Sequence, residues 1–150
     1  MEEYAEALAE AVDRVLPAWV EGSVARIMVA YQGSVPAEVH AAAADAGQVA
    51  RSEVGAELRE LLERDIDDQR TNPLSVLRDA VRFPTAVLRD AGVPSVVRDD
   101  FKERAFPDDI YDLAPATWRD VDETLHEPGL IWGAWKAGEH LRRRRPKEQA

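Results

Sequence analysis

Apolar positions in the first thirty residues fall at helical intervals. Tyr4, Leu8, Val12, Val15, Trp19, Val24, Ile27 and Met28 keep the spacing that places side chains on one stripe of a helix. Pro17 interrupts the run. A proline removes one ladder donor and clashes with the preceding turn, so the pattern predicts two helices, 3–16 and 17–32, meeting at a break near Leu16. Gly33 supplies the stop. Ser34 reads as the cap of the next helix, with Pro36 just inside its first turn, and the apolar spacing carries that helix over 36–68.

The first half of that third helix is built of small residues: Ala41 to Ala44, Ala46, Gly47, Ala50 and Gly55. They bury little, but they let a neighbouring helix come close. An interior glycine costs about 1 kcal/mol relative to alanine, which places Gly47 and Gly55 under tight contacts unless the half is frayed.

Asn72-Pro73 is a helix start, with asparagine as cap and proline at the first position. Val76-Leu77-Arg78-Asp79-Ala80 then recurs as Val87-Leu88-Arg89-Asp90-Ala91. The offset is three helical turns, so both copies present one face. The pattern predicts a single helix over 73–91, kinked at Pro84 and closed by Gly92.

From 94 to 127 the character changes. Pro94, Pro107 and Pro115 punctuate the stretch, and Asp99 to Glu127 hold 10 acids against 3 bases. A solvated acidic linker would be poor in aromatics. This one carries Phe101, Phe106, Tyr111 and Trp118, so short helical turns docked on the bundle are expected, at Asp108–Leu113 and Thr117–Leu125.

The last helix is expected over 128–145, with a flexible tail at 146–150. Leu130, Ile131, Ala134, Trp135, Gly138 and Leu141 form its apolar stripe, taken as the face turned inward. At about 100° per residue Trp132 falls well off that stripe. It must be covered by the 101–118 segment or by a partner, which makes Phe106, Tyr111, Trp118 and Trp132 the partner-contact candidates. No segment alternates with period two, and no Asn-Gly or Asp-Gly hairpin occurs. The expected fold class is all-α: a compact bundle of four to five main helices in a single domain, 1–145, with a Pro/Asp-rich aromatic strap before the C-terminal helix.

Composition sharpens this in two ways. The 150 residues contain no cysteine, which removes disulfides, thiol nucleophiles, Cys-based zinc sites and iron–sulfur clusters. The net charge of −10 is uneven: 15 acids and 6 bases over residues 1–70, 13 and 8 over 71–140, but 1 and 5 over 141–150. An acidic body repels phosphates, so nucleic acid could be met only at the tail. Arg142, Arg143, Arg144 and Arg145 are the anion-contact candidates there; arginines at a helix C-terminus also complement its dipole. An acidic start at Glu2-Glu3 and the absence of a 20-residue apolar run point to a cytoplasmic protein with no membrane contact. With 16 of 19 basic residues being arginine, the usage suggests a GC-rich bacterial genome.

Motifs bearing chemistry are scarce. Glu123 and His126 form an E-x-x-H, but a carboxylate-bridged metal bundle needs a second, and neither His40 nor His140 has a glutamate three residues before it. The aspartates at 65, 67 and 68 and at 108, 109 and 112 lack the order of a calcium loop. No phosphate-binding glycine loop and no G-x-S-x-G elbow is present. No catalytic, cofactor-binding or metal-ligating residue is assigned and no cofactor is expected. The expectation is a non-enzymatic protein-interaction or regulatory module that binds a protein partner or itself through an aromatic patch on an acidic surface. Two alternatives stand beside it: an RNA- or ribosome-associated factor using the arginine tract, and a small-molecule or metal site inside the bundle.

Overall fold

Pro17 does not break the first helix. In the computed structural model, which describes residues 3–65, 72–95 and 109–149, α1 runs uninterrupted over Glu3–Gln32 with Pro17 inside it. The reason lies across the interface. α2 (Ala37–Asp65) packs along the length of α1 and comes close to it at Gly47, where an added Cβ would lie 3.0 Å from the Pro17 Cα. A proline inside a helix costs roughly 3 kcal/mol, and burying both halves of α1 against one partner offsets it. Gly55 has a second such role. A Cβ there would lie 2.5 Å from Asp13 Oδ1, so its absence makes room for the Asp13 carboxylate, whose Oδ2 accepts a 2.7 Å hydrogen bond from Arg59. That pairing, with burial opposing it, holds the Arg59 guanidinium above its usual pKa. The small residues of α2 admit a neighbour, as their composition implies.

Gly33, at φ +81°, ends α1 and donates to the Val29 carbonyl. Ser34 is not the cap of α2: the first bond goes from His40 N–H to the Pro36 carbonyl, and the helix starts one residue later. Asn72 behaves as expected, its Oδ1 accepting from the Leu74 N–H at 3.0 Å. The predicted 73–91 helix is two helices, α3 (Leu74–Asp79) and α4 (Arg82–Asp90). Pro84 is the cause, but the break falls upstream of it. The ring of Pro84 clashes with the carbonyl four residues back, at Ala80, so the chain turns at Ala80–Val81 and leaves Pro84 in the first turn of α4, where no donor is needed. Gly92, at φ +79°, closes α4 with bonds from Gly92 N–H to Arg89 and Val93 N–H to Leu88.

In the strap, the predicted turn at Asp108–Leu113 is not helical where it is described, from Asp109. The buried Asp109 carboxylate accepts from the Leu113 and Ala114 N–H groups at 2.7 and 2.8 Å. A side-chain acceptor taking two backbone donors fixes the bend in place of a helix. Arg78 of α3 then donates to the Pro115 and Ala116 carbonyls and ties the strap down. Within the predicted Thr117–Leu125 turn the chain forms α5 (Trp118–Val121), capped reciprocally by Thr117 and Asp120, and one 3-10 turn over Glu123–Leu125. The last helix, α6, spans His126–Gln149; it begins before Pro128 and continues as helix through the segment expected as a tail.

The described residues thus form an all-α bundle of about five helices and contain no strand. Two apolar clusters fill it. The first half of α1 packs with α2, α3 and α6 around Leu8, Val12, Leu58, Leu77 and Trp132; the second half packs with α2, α4 and the strap around Met28, Leu88 and Tyr111.

Candidate functional site

The chemistry-bearing residues do not converge. Glu123 is exposed in the 3-10 turn, His126 is half-buried at the start of α6, His40 is exposed on α2 and His140 is half-buried two-thirds along α6. Among the described residues no group of three or more His, Asp or Glu is placed to hold a metal ion. Asp122 caps the 3-10 turn; the Thr124 hydroxyl and N–H at its Oδ1 hold its carboxyl below the usual range. A groove of about 450 Å³ opens where the end of α1 meets the start of α2 and the end of α4. Met28, Val39 and Val87 form its floor, with Gln32, Glu38 and Asp90 among the polar lining. It has carboxylates but no histidine, serine or lysine, so it offers no nucleophile beside a base.

The aromatic candidates are spread through the bundle. Tyr111 is buried, and its hydroxyl donates to the Val93 carbonyl at 2.7 Å. Burial pushes its phenol above the usual range, with Arg89 opposing. Trp118 is half-buried and lies on Gly129, where an added Cβ would come within 2.6 Å of its ring. Phe106 lies outside the described residues. Trp132 is only 4% exposed, sits in the first cluster and has the Lys136 ammonium 5.3 Å from its ring centroid. The buried faces of Tyr111 and Trp132 therefore offer no surface to a partner.

Burial of Trp132 reverses the expected orientation of α6. The inner arc is Gly129 and Trp132, followed by the half-buried Lys136, Glu139 and His140. The Lys136 ammonium lies over the Trp132 ring and the His140 Nε2 is buried, while Glu139 pairs with the exposed Arg142. The stripe read as inward faces out: Leu130 is 59%, Ile131 44% and Leu141 60% exposed. With the exposed Ala134 and Ala137 and the half-buried Gly138, they occupy an arc of about 120° at 100° per residue. Trp135, half-buried, borders this arc and meets Tyr4 of α1 with ring centroids 6.1 Å apart. Scattered exposed apolar residues are ordinary; these lie together on one continuous stripe.

Charge frames the stripe. Exposed Asp120, Glu123 and Glu127 precede it along the chain. At the other end Arg142 is exposed and ion-paired with Glu139, while Arg143, Arg144 and Arg145 lie on the α6 backbone with side chains outside the described residues. Sequence reasoning found the residues of this surface and misplaced them. The signal it lacked was that Gly129 and Trp132 lie on one arc, the glycine leaving space for the Trp118 ring and the tryptophan entering the core. Among the described residues no helix is long and apolar enough to cross a membrane. Compared with family models, curated proteins and solved structures, the chain matches none of them.

Proposed function

We propose that this protein is a non-enzymatic interaction module that docks a partner helix on the outer face of α6. One observation carries the reading: Leu130, Ile131 and Leu141 are exposed together on one helical stripe whose opposite side is anchored in the core by Trp132. A helix that is already held by one face and still presents aliphatic side chains on the other is suited to a helix-on-helix contact. Small residues at 134, 137 and 138 in the middle of the stripe let a second backbone approach closely.

A photo-crosslinking residue at Ala134, in the intact chain expressed in cells, tests this. The expected result is a defined adduct that is absent when the same residue replaces Ser52, exposed on α2, and absent again in the Leu130→Asp/Leu141→Asp variant. Labelling at position 134 no stronger than at 52, or unaffected by the two aspartates, would remove the assignment.

A further inference from the structure

We infer that the partner of the α6 outer face is a second copy of the same chain, its α6 running antiparallel. The inference rests on the docking reading above and adds the occupant and its register.

The seam has the spacing of a coiled-coil contact. Leu130, Ala134, Ala137 and Leu141 are separated by steps of four, three and four residues, all on exposed positions. The spacing is also its own match under a two-fold rotation. With the axis between Ala134 and Ala137, Leu130 of one copy meets Leu141 of the other, and Ala134 meets Ala137. The flanking glycines exchange in the same way, Gly133 with Gly138. A Cβ added at either glycine would meet nothing within 4 Å, so the faces beside the seam are open to an approaching helix. A self-complementary patch of this kind is what an isologous dimer requires.

Charge decides the direction. One seam step before Leu130 stands Glu127, exposed, with Asp120 and Glu123 close by in sequence. One step after Leu141 stands Arg144, in the middle of four consecutive arginines. The two-fold pairing that matches leucine to leucine also sets helix position 127 of each copy opposite position 144 of the other, glutamate against arginine in the sequence. A parallel pairing would stack acid on acid at one end and arginine on arginine at the other, about 26 Å away along the helix. The antiparallel arrangement satisfies the apolar and the charged positions in a single register.

The size of the contact sets its strength. About four helical turns, edged by Tyr4 and Trp135, lie at the small end of specific interfaces, below roughly 1,200 Å² in total. The pairing is therefore reversible and concentration-dependent, and added salt weakens it by screening its charged ends.

Sedimentation velocity on the full purified chain, from low micromolar to several hundred micromolar, reads this directly. The expected result is a monomer–dimer equilibrium. Glu127→Arg and Arg144→Glu should each weaken it by about tenfold, since each change sets two repulsive contacts in every dimer. Combining them should restore it, because both contacts are then attractive again with the signs exchanged. A chain that stays monomeric throughout overturns the inference, as does a dimer whose affinity the single and combined reversals leave unchanged. The two readings fail separately. A monomeric chain that still gives the Ala134 adduct in cells keeps the docking face and loses self-pairing; loss of both results ends both.

Discussion

α1 and α6 are both long helices with a legible apolar stripe, yet the bundle uses the two stripes in opposite ways. In α1 the stripe is the buried face: Leu8, Val12, Val24 and Met28 are all interior. In α6 the stripe faces out, and the opposite side holds a glycine, one tryptophan and three half-buried polar residues. The contrast teaches that a hydrophobic stripe reports a face that needs covering, without saying which body covers it. For α1 the cover is α2. For α6 the fold supplies a different anchor, and the stripe is left exposed.

The sharpest way to break this comparison is to truncate each face of α6 in turn. Trp132→Ala should cost about 3–5 kcal/mol in urea unfolding, the usual price of emptying a large aromatic site. Leu141→Ala, measured at low micromolar concentration, should stay within about 0.5 kcal/mol, as surface changes do. Equal costs would mean that the two faces had been confused. On the α1 side the close crossing is the vulnerable point. Gly47→Leu drives a side chain into the Pro17 backbone and should cost about 1–3 kcal/mol, visible as a lower unfolding midpoint. An unchanged midpoint would show that α1 and α2 do not need to meet so closely.

The smallest effect concerns the strap that joins the two regions. Tyr111→Phe removes the hydroxyl bond to the Val93 carbonyl and should cost about 1 kcal/mol at neutral pH. The phenol of Tyr111 is raised from its ordinary 10.0, so the folded state favours its neutral form. Its contribution is complete below pH 10 and is lost as the pH climbs through the folded value. The phenylalanine variant lacks that alkaline loss, so its stability deficit relative to the parent should narrow above pH 10. A deficit that stays constant across that range would place Tyr111 outside the folded core.

Much of the fold was legible because its rules are local. Periodicity located α1, α2 and α6, and the glycines at 33 and 92 stop helices where a positive φ is required. The errors arose where a local rule met a tertiary one. Pro17 carries the same helix-breaking chemistry as Pro84, but α2 spans its site on both sides, whereas the chain turns at Ala80–Val81 ahead of Pro84. For α6, counting apolar positions favoured the arc with more of them. A single indole covers about 150–250 Å², and the Trp132 indole, seated in the first cluster, outweighed several smaller side chains. The Asp109 bend was invisible for another reason: three nearby aspartates look alike in sequence, and only the backbone donors of Leu113 and Ala114 single one out.

The unbroken course of α1 past Pro17 has a mechanical consequence. Its thirty residues make a spar of about 45 Å that runs through both apolar clusters, with α6 seated on the first half and α4 on the second. A jointed helix would absorb a push on either side at the proline. This one has no such joint, so the cluster beneath α6 and the groove at the far end of α1 are spaced by one continuous helix.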